Sequence, residues 1–366
     1  MLRRMRLTLA CAVVGALVLA PAGASAVRPK VPPEKKPADK KPDKKAPGKK
    51  PADQKSEKKP PASKVKLTVS STKPKPGDPI LVKVTGTTGM PRGTAGGRRL
   101  LFFPVKGGWQ SVFSVPLGDA PEAEEAAEQS FWDVWHGRQP AATPPPAAPD
   151  KPTTIKVSIA DGPDAVLTVK PHEFPEEAIT IDEALANPPA EQAKEIDNDN
   201  AAVIAALRNS DPPMFKGRFR APAGKKSSAF GNWRRFNQSE HRSRHLGLDV
   251  VARKGAPIRS VARGKVALVR SGILMGGTVV VVHGAGLATC YFHVSDFAVK
   301  AGEMVEAGQV LGKVGVTGRT TGPHIHVGIW ARGGFVDPAV FFRLPLGAPL
   351  AAEEPAARHS SKSRSR

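Results

Sequence analysis

From Val65 onward the chain alternates apolar and polar residues. Val65-Lys-Leu-Thr-Val69 is followed by the turn Pro76-Gly-Asp-Pro79 and then by Ile80-Leu-Val-Lys-Val84. Successive side chains of an extended strand point to opposite faces, so a period of two predicts half-buried strands. Further short strands are expected at 100–104, 110–115, 153–157 and 165–169, each flanked by turn residues. Their number and spacing predict a small immunoglobulin-like β-sandwich over residues 65–172. An insertion at 119–151 breaks it. Its first half is acidic and aromatic and its second half is Pro and Ala, so a short helix leading into an unstructured loop is expected, with Trp132 and Trp135 plugged against the host domain.

Over 173–213 the pattern changes. Ala190-Glu-Gln-Ala-Lys-Glu195 and Ala201-Ala-Val-Ile-Ala-Ala-Leu207 combine helix-forming composition with an apolar face, and Asp211-Pro-Pro213 ends the run. A short helical linker is predicted, packed on one or both neighbours. Strands return over 214–346, broken by tight turns in which Gly302, Gly308 and Gly312 supply left-handed backbone. The fold class is therefore mainly β, with two β domains joined by a helical segment.

The ends of the chain change the picture of where it works. Arg3, Arg4 and Arg6 precede an apolar run over 7–19, and Ala24-Ser-Ala26 offers a small-residue cleavage site, so residues 1–26 read as a signal peptide. The run is shorter than the ~20 residues of a spanning helix, which predicts an exported protein that is not integral to the membrane after cleavage. Residues 27–64 are Lys, Pro, Ala and Asp with hardly an apolar side chain, the composition of a solvated tether. Residues 347–366 read as a disordered basic tail. Lysine and arginine number 55 against 33 acids, a net charge of +22. Weak attraction of the basic tether to anionic envelope polymers is expected; export and the lack of interleaved aromatics argue against nucleic acid. Cleavage would remove Cys11 and leave Cys290, so no intrachain disulfide is expected, and Cys290 reads as a buried, inert thiol.

Candidate chemistry gathers between His245 and His326. His245-Leu-Gly-Leu-Asp249 opens the stretch, His293 lies in Tyr291-Phe-His-Val-Ser295, and Gly322-Pro-His324-Ile-His326 closes it. Two residues apart on a strand, His324 and His326 share a face, so one can bind a metal while the other stands beside whatever the metal binds. Two imidazoles and a carboxylate leave a fourth position of zinc open, as in catalytic rather than structural sites. The remaining histidines lack such company. His136 and His172 read as structural or exposed, His241 as solvent-facing, His283 as a turn residue and His359 as part of the tail.

The order His-x-Gly-x-Asp, Tyr-x-His and Gly-Pro-His-x-His resembles the M23 zinc metallopeptidases, the LytM or lysostaphin type, over residues 214–346. The resemblance implies a barrel-sandwich fold with a duplicated hybrid motif, and Zn2+ held by His245, Asp249 and His326. It implies catalytic roles for His324, as base or water-orienting group, and for His293, as oxyanion stabiliser. The implied activity is an exported zinc metalloendopeptidase acting on peptide cross-links or stem peptides of bacterial peptidoglycan. After His326 the family often has an aromatic residue and Glu, where this chain has Val327 and Gly328. The alternative is a catalytically inactive LytM-type activator of a cell-wall amidase; such proteins lack several of the five site residues, all of which stand here. A phosphotransferase carrier domain shares the sheet architecture, but a signal peptide argues against a cytoplasmic protein.

Overall fold

The computed structural model describes residues 64–117, 153–237 and 242–350. Residues 1–63, expected to hold a signal peptide and a tether, the expected insertion at 119–151 with Trp132, Trp135 and His136, and His241 and His359 lie outside the described residues. Among those described, no helix is long and apolar enough to cross a membrane.

The first domain contains β1 (Lys66–Val69), β2 (Pro79–Thr85), β3 (Gly93–Ala95), β4 (Arg98–Arg99), β5 (Phe103–Val105), β6 (Gly108–Ser114), β7 (Thr154–Ile159) and β8 (Asp164–Thr168). They form two four-stranded sheets, ordered β1-β2-β6-β5 and β4-β3-β7-β8. Ile80, Val82 and Val84 of β2 pack with Ile155, Val157 and Ile159 of β7 in one core, as the period of two requires. The opposite face of β2 is buried too. Leu81, with Phe103, Val105 and Val112, joins Phe215, Phe219, Phe341 and Leu346 of the C-terminal domain in a second core. The rings of Phe103 and Phe215 meet edge-on at 5.2 Å. The N-terminal strands and the C-terminal strands therefore share a hydrophobic layer within one compact unit, a feature that alternation along either segment does not reveal.

The connecting segment holds β9 (Glu176–Ile179), α1 (Glu183–Ala186), a 3-10 turn at Ala190–Gln192, and α2 (Ala193–Leu207). The expected helix is present as α2, and its inner face carries Ile196, Asp199, Asn200, Val203, Ile204 and Leu207. Asp199 is buried among apolar neighbours, where it holds the Arg270 guanidinium at 2.5 Å and accepts from the Ile273 N–H at 3.0 Å. Strand β9 was not anticipated. It has few β-branched residues and gains its hydrogen bonds from a partner far along the chain.

That partner belongs to the C-terminal domain, which runs β10 (Lys226–Ser228), β11 (Trp233–Phe236), β12 (Arg242–Arg244), β13 (Leu248–Val251), β14 (Pro257–Arg259), β15 (Gly264–Gly272), β16 (Gly276–Gly284), β17 (Leu287–Phe297), β18 (Met304–Val305), β19 (Val310–Val314), β20 (His324–Ala331), β21 (Gly334–Val336) and the short helix α3 (Pro338–Phe341). Strand β9 pairs in parallel with β11 in a three-stranded sheet, β12-β11-β9. The large sheet follows the path β10-β13-β20-β17-β16-β15-β18, with β14, β19 and β21 attached to it. Beyond α3 the chain runs back along β5, where the Leu350 N–H donates to the Pro104 carbonyl at 2.9 Å.

His283 is not a turn residue. It sits inside β16 and is fully buried, its Nδ1 2.9 Å from the Arg263 carbonyl and its Nε2 2.9 Å from the Thr289 hydroxyl. The carbonyl only accepts, so Nδ1 carries the proton, and Nε2 accepts from Thr289. Burial pushes the imidazole down to about 4. Between pH ~6.5 and ~4 the unfolded chain takes up a proton that the folded chain refuses, so this residue lowers stability as pH falls, by about 3 kcal/mol across the window. Denaturant titrations of wild type and His283→Gln at pH 7.5 and pH 4.5 should isolate that loss from the ones due to His293 and His326, which burial depresses as well. Cys290 is likewise fully buried, and desolvation raises its thiol to about 12, which keeps it protonated and inert.

Candidate metal centre

Three antiparallel neighbours in the large sheet build the centre. Strand β20 lies between β13 and β17, and its register sets Asp249 of β13 directly opposite His326, with Phe292 of β17 opposite His326 on the other side. Two residues earlier on β20, His324 stands opposite Val251. His245 enters from the turn between β12 and β13, fastened by its N–H to the Asn232 carbonyl at 2.8 Å.

These constraints bring His245, Asp249 and His326 together, with one donor atom from each lying within 4.8 Å of the others, and all three residues buried. His245 Nε2 is 3.1 Å from Asp249 Oδ1 and 3.2 Å from His326 Nδ1, and His326 Nδ1 is 2.9 Å from Asp249 Oδ1. His245 Nδ1 lies 2.7 Å from the Ala229 carbonyl, which can only accept. Its proton is thereby committed, and Nε2 turns a lone pair toward the other two groups. Lone pairs facing one another at such distances repel unless a proton or a cation stands between them. Two imidazole nitrogens and one carboxylate oxygen fit a divalent ion of borderline softness. Although burial opposes it, His245, His324 and His326 hold the Asp249 carboxyl well below the usual range, so the site keeps its negative charge.

Gly247, at the centre of His-x-Gly-x-Asp, has a steric reason. A Cβ there would lie 2.5 Å from His326 Cε1 and Nε2 and 2.8 Å from the Val327 carbonyl. The His326 ring is held on its other side by Phe292, stacked at 4.8 Å with an interplanar angle of 11°. Gly247→Ala should therefore displace the donor nitrogen, costing about 1–3 kcal/mol of stability and at least ~10-fold in metal affinity. Thermal melts and chelator competition measure the two effects separately.

His293 reaches the site through a β-bulge. Tyr291 pairs with Val279 and Val294 with Gly277, so two residues on β17 oppose one on β16. Tyr291 and Val294, an odd number of residues apart, consequently face the same core, while Phe292 and His293 both turn to the metal side. The bulge holds His293 at φ 61°, left-handed for a non-glycine residue and worth roughly 1–3 kcal/mol of stored strain. Gly277 makes room for it, since a Cβ there would overlap the Val294 carbonyl.

The two imidazoles outside the donor group are oriented alike. His293 Nδ1 is 2.8 Å from the Thr317 carbonyl and His324 Nδ1 is 2.9 Å from the Gly322 carbonyl. In the neutral state each therefore presents a bare Nε2, and the rings stand 4.9 Å apart. His324 Nε2 is 3.5 Å from Asp249 Oδ1, too far for a hydrogen bond. Their proton affinities diverge. Burial, then the charges of His324 and His326, push His293 down to about 3. Burial pulls on His324 too, but Asp249 and the Gly322 carbonyl outweigh it and leave His324 above its ordinary value.

Several residues at the site carried no signal in the sequence pattern. Arg234 of β11 donates through Nη2 to Asp249 Oδ2 in a short, charge-assisted bond. Behind it stand Ser228, Asn232 and Glu177. A cavity of about 40 Å³ adjoins His245, His293 and His326, walled by Arg234, Phe236 and Arg319. The Arg319 guanidinium lies 4.2 Å above the Phe236 ring. Two residues before Phe236, nothing in the sequence separates Arg234 from any surface arginine.

Residues 243–338 match the model of peptidase family M23. The peptidoglycan DD-endopeptidase ShyB of Vibrio cholerae is 36% identical over 110 residues, which is 30% of this chain and 26% of that protein. The DD-carboxypeptidase/endopeptidase Mpg of Neisseria meningitidis is 38% identical over 94 residues, 26% of this chain and 22% of its own. The chain thus spans about a quarter of the length of these curated relatives. The solved structure of a peptidase M23 from Pseudomonas aeruginosa aligns with 74% of this chain and 95% of its own, at 30% identity and a TM-score of 0.48.

Proposed function

Because the chain belongs to peptidase family M23 through its C-terminal domain, we propose that it is an exported zinc metalloendopeptidase that hydrolyses peptide bonds in bacterial peptidoglycan. The observation that carries this reading is the convergence of His245, Asp249 and His326 on one point, with two further imidazoles presenting bare nitrogens beside it. Substrate class rests on the DD-endopeptidase activities of the relatives. Location in the cell envelope follows from that substrate and from the export signal read at residues 1–26.

In this reading His245, Asp249 and His326 would hold the metal. Bound there, it would supply Lewis acidity for the scissile carbonyl and for water near neutral pH. His324 Nε2 takes a proton from the attacking water, its higher basicity suiting it to the role better than His293. The imidazolium so formed then carries an Nε2–H, which it passes to the leaving amide nitrogen as the C–N bond breaks. Neutral His293 accepts the other hydrogen of the water through Nε2 and fixes its approach. A donor role for His293 toward the oxyanion needs Nε2 protonated, because the Thr317 carbonyl already claims the Nδ1 proton.

The test is digestion of purified sacculi with and without a chelator, alongside metal analysis of the protein. Opened cross-links, chelator sensitivity and about one zinc per chain are expected. Stimulation of a cell-wall amidase without release of muropeptides by the chain alone would favour an activator and sink the enzyme reading.

A further inference from the structure

Outside the four histidines and the aspartate, a carboxylate near the centre with several hydrogen-bond partners is Glu177, which lies on β9, upstream of the 243–338 match. Parallel pairing with β11 puts Glu177 beside Arg234 in register. Its carboxylate accepts from the Ser228 hydroxyl at 2.9 and 3.0 Å, from Asn232 Nδ2 at 2.7 Å, and faces Arg234 Nε at 3.4 Å. Two routes run from there to metal donors. Arg234 Nη2 bonds Asp249 Oδ2, and Ser228 Oγ, its own proton given to Glu177, lies 3.2 Å from His245 Nδ1, where it shares with the Ala229 carbonyl the proton that nitrogen carries. Arg234 Nη2 also donates to Ser228 Oγ at 3.0 Å, which closes the two routes into one network.

We propose that Glu177 is a positioning residue for the metal centre, fixing Asp249 through Arg234 and His245 through Ser228. The inference rests on the metallopeptidase reading above and adds to it a residue from the interdomain strand. Its electrostatic part has a definite sign. A lone guanidinium against Asp249 draws on the same carboxylate charge that the metal needs and repels a dication. Glu177 balances that guanidinium, so Asp249 keeps its charge for the metal. Groups behind the ligands commonly change metal affinity 10- to 100-fold.

Neighbouring Glu176 provides a control within the same strand. It points away from Glu177 and pairs instead with Arg235 at 2.7 Å and Arg242 at 3.7 Å. Glu177→Gln and Glu176→Gln each remove one negative charge from the full chain with almost no change of shape. Zinc affinity measured by competition with a chromophoric chelator should fall at least ~10-fold in Glu177→Gln and stay within about twofold of wild type in Glu176→Gln. Melting of the metal-free proteins tells positioning from damage: the Glu177→Gln apo protein should melt as wild type does. Affinity is read without substrate, so the comparison decides the role of Glu177 whether or not sacculi are cut. Equal affinity in wild type and Glu177→Gln, an equal loss in Glu176→Gln, or a loss of affinity matched by collapse of the apo fold would overturn the proposal.

Discussion

His326→Ala is expected to abolish metal retention and hydrolysis together. The substitution removes Nδ1, one of three donor atoms within 4.8 Å of each other, and leaves two protein ligands for an ion that needs at least three to compete with water. Structural zinc sites are worth about 10–16 kcal/mol over four ligands, so one ligand is worth roughly 3 kcal/mol, or more than 100-fold in affinity. The ring also fills space between Phe292 and Gly247, and deleting a buried ring costs up to ~3–5 kcal/mol through the cavity it leaves. Loss of fold has therefore to be told from loss of donor. Asp249→Asn does so, because it keeps the shape while removing the charge. Both variants should purify without zinc and leave sacculi intact, and Asp249→Asn should do so with metal-free secondary structure equal to wild type. Wild-type zinc content in either variant would show that the three side chains are not the ligands.

What the sequence made legible and what it hid divide along a physical line. Strands such as β2 and β7 were readable because a period of two is a property of a single segment, set by how side chains alternate along it. The pair His324 and His326 was readable for the same reason, and their common face is that of β20. Contacts made by register are different. Asp249 meets His326 because β13 and β20 pair antiparallel at that offset, and only the family pattern hinted at it before the strands were seen together. Parity arguments fail where a bulge intervenes. By alternation alone His293 would share a face with Tyr291 and point into the core; the extra residue on β17 reverses it. Strand β9 and Glu177 were invisible for a further reason. Their segment was read by composition as linker, and its role depends on pairing with β11, more than fifty residues downstream. One signal was available and unused: Asp199 falls on the apolar face of α2 at helical spacing, and an acid in that position asks for a buried partner, which Arg270 supplies.

His324→Ala should separate chemistry from metal binding. The ring is not one of the three donors, its Nε2 stands 3.5 Å from the nearest ligand oxygen, and its Nδ1 is committed to the Gly322 carbonyl. Zinc content is therefore expected at wild-type level, while kcat falls by about 100- to 10,000-fold, the usual worth of a positioned acid-base group. His293→Ala is the informative companion. Both residues present a bare nitrogen to the same space, yet their proton affinities lie on opposite sides of the ordinary histidine value. A base must be deprotonated to act, so wild-type kcat/KM should fall on the acid side as His324 takes up a proton. His324→Ala should lose that acid limb and keep a small residual rate that is flat through the same range. His293, neutral down to about pH 3 because it is buried, contributes no ionisation there. His293→Ala should accordingly lower the rate without moving the limb. The reverse outcome, with the limb lost in His293→Ala and kept in His324→Ala, would exchange the two roles; loss of zinc from His324→Ala would place that ring among the ligands instead.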